Sequence, residues 1–185
     1  MNKKVWIVIA VLAVIIVGYA VLTYNGLITK SEAVDNQWAQ VETQYQRRFD
    51  LIPNLVNSVK GVMRQEQEIF LAIAEARSRY SGAASADDKA AAASEVEGAL
   101  GRLLVIMENY PVLQSATAVQ SFMAQLEGTE NRIAVERQRF NDQVKEFNVV
   151  VKTFPTNLVA PLLGFGERNY FEVAGEASVA PTVNL

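Results

Sequence analysis

Cysteine and histidine are both absent from the 185-residue chain. Disulfides, thiolate nucleophiles, Cys/His zinc or haem sites and imidazole general bases are therefore excluded. A carboxylate-held metal in a helical bundle draws on Glu-x-x-His pairs, which a chain without histidine cannot form, so no metal and no cofactor are expected. Glycine (10), proline (5) and aromatic residues (9%) are sparse, which argues against collagen-like, low-complexity or loop-rich architectures. Nor is there an excess of positive charge. A formal net charge of −3 and a pI near 5.1 give no global field to hold nucleic acid, so none is expected as a partner. At 20.4 kDa the chain has room for one domain and a small appendage.

What is present begins with a long apolar run. Val5 to Leu22 carries no charge and a single glycine. As a helix it spans roughly 27 Å, close to the hydrocarbon thickness of a bilayer. Val5, Ile9, Leu12, Ile15 and Leu22 are the residues expected to face lipid. Lys3 and Lys4 precede the run and only Lys30 follows closely, so the positive-inside bias keeps the amino terminus cytoplasmic and the rest outside. The rival reading is a cleaved signal peptide with small residues at Gly18-Tyr19-Ala20. The run passes through that point into Val21 and Leu22, which favours an anchor.

Beyond Gly26 the pattern is helical. Apolar residues at Leu27, Val34, Trp38, Val41, Tyr45, Phe49, Ile52, Leu55, Val59, Val62, Ile69 and Ile73 step mostly by three and four, as in a coiled-coil seam. The seam predicts one helix to about Tyr80, kinked at Pro53 because proline cannot donate to the carbonyl of Phe49. Ser81–Ser85 reads as a loop, and Ser85 with Asp88 as a capping box. A second helix then runs to about Tyr110, where Pro111 stops it. Thr117 with Gln120 opens a third helix that ends at Pro155. The tail, with Pro161, Gly164, Gly166, Gly175 and Pro181, is expected to be irregular. The fold class is all-α: a transmembrane helix continuing into an elongated three-helix antiparallel bundle or coiled coil. The division is 1–24 amino terminus and anchor, 25–155 helical bundle, 156–185 tail.

Glu130 and Arg137 fall on the apolar stripe of the third helix. Either they reach solvent at the seam's edge by their long stems, or they form a buried pair, or a pair shared with Arg48 and Asp50 beside the proline kink, that sets helix register. No catalytic constellation stands out. Glu66, Glu68, Glu95, Glu97 and Glu130 lack a partner set in a concave site, and Gly164-Phe165-Gly166 lacks the residues of a phosphate loop. An enzyme is not expected. The second helix is too short to cover the first, which leaves Leu27, Val34, Trp38 and Val41 as candidates for an oligomer interface between anchored copies. The alternative is that the tail folds back over this stripe.

Several segments carry a family resemblance: Tyr24-Asn25, NQWAQVETQYQRRFDLIPNLVNSVKG from Asn36, ENYPVLQS from Glu108, LEGTENRIAVERQRFNDQVKEFNVVVKTFPTN from Leu126, and RNYFE from Arg168. In this order they resemble the LemA family over residues 24–172; Val112 departs from the polar residue relatives often carry after the YP pair. The resemblance implies a single amino-terminal membrane helix, a long helical bundle and residence in the bacterial inner membrane. It supplies no settled activity. Two functions are compatible with it. One is a self-assembling scaffold that organises or shapes the envelope membrane, with copies of itself and the bilayer as partners. The other is an adaptor for an HtpX-like membrane protease or an envelope signalling protein.

Overall fold

Residues Lys3–Lys60 form one uninterrupted helix, α1. Within a bilayer a helix satisfies every backbone N–H and C=O internally, so a run of Val, Ile and Leu that would be a mediocre helix former in water adopts it readily. The computed structural model describes residues 3–171, and from Lys3 to Gly18 every residue is exposed, with nothing among the described residues covering it. Pro53 lies inside α1, and the helix continues through it.

The helix stops at Lys60, short of the expected Tyr80. Lys60 places a cation at the negative end of the helix dipole, and Gly61 contributes the least to helix continuation. After a turn over 61–66 the chain resumes as α2 (Gln67–Gly82). The break shifts the phase of the seam: Met63 is fully buried while Val62 is 45% exposed, the reverse of the expected stripe.

Ser85 then caps α3 (Ala86–Met107). Its backbone is extended (φ −101°, ψ 159°) and its Oγ accepts the Asp88 N–H at 3.0 Å. Pro111 opens a single turn, α4 (Pro111–Gln114), at a position where its missing N–H costs nothing. In α5 (Thr117–Lys152) the Gln120 N–H bonds the Ala116 carbonyl, so Thr117 is the first helical residue rather than the cap. The tail is partly ordered: α6 (Thr156–Val159) and a 3-10 turn at Pro161–Leu163 close on Gly164, whose φ of +83° is the left-handed conformation glycine tolerates. The chain is irregular from there to Phe171. Gly175 and Pro181 lie outside the described residues. Among the described residues there is no strand, so the fold is all-α.

Packing groups the residues otherwise than at 24 and 155. Among the described residues, one unit comprises 3–39 with 138–170, and the other 40–137 with Phe171. In the first, α1 and α5 run antiparallel, with Lys30 beside Glu146 and Trp38 beside Phe140, around Leu27, Val34, Val144, Phe147 and Val151. In the second, α2 returns to set Tyr80 against Tyr45 and Phe49. There α3 runs alongside α1, pairing Lys89 with Glu42 and Ala93 with Arg48, and α5 returns with Glu130 against Arg48. The break at 61–66 therefore adds a separate helix, α2, to this unit. Its core holds Ile52, Leu55, Val59, Ile73, Val96, Leu103 and Ile133.

Candidate functional site

In the unit built on residues 40–137, Arg48 is fully buried. It sits between Tyr45 and Phe49 on the seam of α1, where its guanidinium carbon lies 5.3 and 5.9 Å from their ring centres. Burying a guanidinium requires compensation. Nη1 pairs with Glu130 Oε1 at 2.5 Å and approaches Glu97 at 3.8 Å, and Nη2 donates to the Ala93 carbonyl at 3.1 Å. Arg137 supplies the second cation. Its Nε donates to the Tyr45 hydroxyl at 3.0 Å, its Nη2 to Glu97 at 3.1 Å, and its guanidinium lies 4.4 Å from the centre of the Phe171 ring. The polar residues on the α5 stripe are thus not a pair with each other. Each joins a two-arginine, two-glutamate network, with Glu97 of α3 bridging. Asp50 is outside it and accepts a hydrogen bond from Gln46 instead.

Two buried tyrosines complete this cluster. Burial pushes the Tyr80 hydroxyl up to about 12, helped by the charge of Glu42 and by Tyr45 and opposed by Arg48. Burial raises Tyr45 as well, against the lowering influence of Arg137 and Arg48. A general acid or base works best with a pKa near the operating pH. This cluster moves its tyrosines away from neutrality and cancels its charges pairwise, which suits holding helix register better than moving protons. Beside it, α3 and α5 line an apolar groove of about 960 Å³, with Leu100, Leu104, Met107, Val119, Met123 and Leu126 among its walls and Glu97 and Glu130 at its edge.

The expected oligomer-interface residues lie elsewhere than on a free surface. Leu27, Val34 and Val41 are 0–2% exposed, and Trp38 is half-buried with its ring edge-to-face on Phe140 at 5.4 Å. The chain covers this stripe itself, because α5 extends to Lys152 and the segment after it turns back: Phe165 packs its ring against both Tyr24 and Phe147. The anchor residues Val5, Ile9, Leu12, Ile15 and Leu22 are the reverse, each 43–74% exposed.

Sequence reasoning did not single out Asn148. It is buried on the α5 seam between Phe147 and Val151, and its side chain clamps the returning segment through both backbone groups of one residue: Nδ2 donates to the Arg168 carbonyl at 2.9 Å and Oδ1 accepts the Arg168 N–H at 2.8 Å. The Arg168 guanidinium reaches on to Ser31 and Asp35. An asparagine in phase with an apolar stripe is the signal that was available.

Comparison with known proteins fits this architecture. The chain is 26% identical over 192 residues to the magnetosome proteins MamQ 1 and MamQ 2 of Paramagnetospirillum magneticum, covering 89% of this chain and 71% of each relative. It is 27% identical over 176 residues to the magnetosome protein MamQ of Magnetospirillum gryphiswaldense, covering 81% of this chain and 65% of that one. With the exposed apolar helix, these similarities mark a membrane-associated protein. The model of the LemA family matches residues 37–185, most of the chain, and the protein belongs to that family.

Proposed function

We propose that this protein is a single-pass, non-catalytic scaffold of the bacterial inner membrane. Its amino terminus is cytoplasmic and its helical units lie outside, where copies held side by side organise or shape the bilayer. The observation that carries this reading is α1: the helix that presents the apolar run continues without a break to Lys60. Confinement in a plane raises the effective concentration of neighbouring copies. Membership of the LemA family and the relatives' designation as magnetosome proteins support a role at a membrane. Contacts between copies lie outside Leu27, Val34 and Val41, which the chain buries.

Native mass spectrometry of the full chain, extracted in mild detergent, tests the reading. Homomeric assemblies are expected. A second reading, an adaptor for a membrane protease or envelope signalling protein, is favoured by the groove between α3 and α5, whose methionines Met107 and Met123 suit an incoming apolar helix. Monomers that carry one distinct partner in fixed stoichiometry support the adaptor and overturn the scaffold. A single cysteine at Val112, which is 72% exposed, reports the side of the membrane, since no native thiol competes. Labelling from the cytoplasmic face alone would reverse the topology.

A further inference from the structure

The loop that follows α5 contains fourteen consecutive uncharged residues, Thr153–Gly166. It begins and ends at one ion pair, Lys152 with Glu167 at 2.8 Å. Three of its large apolar side chains point away from the chain: Phe154 is 74% exposed, Leu158 62% and Leu162 85%. In water such a tip is a liability, because residues of this size gain free energy on leaving it.

Its place along α1 shows what surrounds it. The Thr156 hydroxyl shares a hydrogen bond with the Tyr19 hydroxyl at 3.1 Å, and Phe165 packs on Tyr24. Tyr19 is three residues inside the end of the apolar run at Leu22, roughly 4–5 Å within it along the axis. The loop tip is thus level with hydrocarbon, and Phe165 and Tyr24 are level with the headgroups, where aromatic rings concentrate. The charged groups of the same unit come later along the helix: Lys30 with Glu146, and Asp35 with Arg168. Lys30 lies eleven residues beyond Tyr19, on the order of 16 Å along the axis, far enough to stand clear of the hydrocarbon.

Much of the loop's backbone is hydrogen-bonded within the loop. Lipid offers no hydrogen-bond partners, so irregular chain is tolerated there only when its N–H groups are satisfied from within. Asn157 bonds the Thr153 carbonyl, Leu158 that of Pro155, and Ala160 that of Thr156. Leu163 and Phe165 both bond the Ala160 carbonyl, and Gly164 that of Pro161. Pro155 and Pro161 have no N–H to satisfy. Asn157 is the loop's exposed amide side chain, beside Thr156 at the level of Tyr19.

We infer that residues 153–166 form a second membrane-contacting element, a monotopic wedge that buries Phe154, Leu158 and Leu162 in the leaflet at the carboxyl-terminal end of the span. The occupant of this apolar surface is lipid, because the loop is fastened to the very stretch of α1 that the bilayer encloses. The inference rests on the reading of α1 as a membrane span and deepens it. A span alone displaces both leaflets equally, whereas this loop adds cross-section to one of them, which is how interfacial segments couple to curvature.

The test uses the full chain in vesicles of phosphatidylethanolamine and phosphatidylglycerol. Single cysteines at Leu158, Leu162, Leu12 and Val112 each carry an environment-sensitive nitrobenzoxadiazole label, which the absence of native cysteine makes specific. All four side chains are at least half exposed, so the labels leave the packing intact. At Leu158 and Leu162 the emission is expected to shift to the blue. Lipids with a nitroxide near the headgroup should quench it more than lipids with one deep in the chain, and dithionite should bleach it several-fold more slowly than at Val112. Bleaching at Leu162 as fast as at Val112, with Leu12 still quenched by lipid, overturns the wedge and leaves the span standing. A label at Leu162 shielded from dithionite yet untouched by nitroxide lipids also overturns it, since protein then covers the loop. An unquenched label at Leu12 sinks the span, and the wedge falls with it.

Discussion

The two units differ in whether a charge is drawn inside. The unit built on 40–137 draws a guanidinium fully inside and surrounds it with Glu130, Glu97, the Ala93 carbonyl and two aromatic rings. The unit built on 3–39 and 138–170 keeps its ion pairs at the surface, Lys30–Glu146, Lys152–Glu167 and Asp35–Arg168, and leaves Phe154, Leu158 and Leu162 uncovered. Both use the same α1–α5 seam of threes and fours. Which residues a seam hides depends on the solvent opposite it. Where that solvent is water, a charge is buried only when paired; where it is lipid, a leucine has no reason to hide.

A charge placed on each kind of apolar position tests this difference most severely. Val41→Asp inserts an unpaired carboxylate into a fully buried site and should cost more than about 4 kcal/mol, unfolding the unit outright in circular-dichroism melts of the detergent-solubilised chain. The same substitution at Leu162, 85% exposed, meets no packed protein atoms and should leave the melt far closer to the parent than Val41→Asp does. A melt for Leu162→Asp as damaged as that for Val41→Asp would erase the contrast.

Smaller, but still large, is the effect expected of Glu130→Ala. Removing this partner strands the Arg48 charge in the core and should cost about 3 kcal/mol, whereas Arg48→Met removes the charge and should cost less. The reverse order in chemical denaturation would show that the network acts through packing alone.

Tyr80 probes the same interior through pH. Its neutral form is the one the fold favours, so its contribution is complete below pH 10, where the tyrosine of the unfolded chain is also protonated. That contribution is lost as the pH rises through about 12. Tyr80→Phe should therefore flatten the alkaline decline of stability between those values, and an unchanged decline would assign it to other groups. The smallest effect belongs to the unit built on 3–39 and 138–170. Asp35→Ala breaks a half-exposed pair with Arg168 and should shift stability by less than about 1 kcal/mol, the more weakly the higher the salt.

Much of the architecture was legible because it is periodic. The apolar run, the α1 and α5 stripes and the Ser85 cap each need only local spacing and composition. The Gly61 break was legible only in part: the seam skips from Val62 to Ile69, but a skipped position in a coiled-coil pattern does not by itself distinguish a loop from a solvated turn of helix. Glu130 and Arg137 stood out as polar residues on an apolar stripe. Their partners did not, because Glu97 and Tyr45 come from other helices and one sequence carries no record of which faces meet. The cover over Leu27, Val34 and Val41 was illegible for a related reason. Coverage was judged from helix lengths, and the segment that covers part of the stripe is a short loop closed by Asn148, Phe165 and the Lys152–Glu167 pair.

The sequence by itself determined that the chain is helical, that it carries an apolar run long enough to cross a bilayer, and that thiol and imidazole chemistry are closed to it, since these follow from residue type and spacing along one dimension. Only the tertiary structure decided that Arg48 is the buried charge, that the α1 seam is already occupied, and that an uncharged loop is fastened to the apolar run at Tyr19. Each of these depends on which distant segments share a neighbourhood, and that is fixed by the packing of whole helices rather than by any stretch of chain.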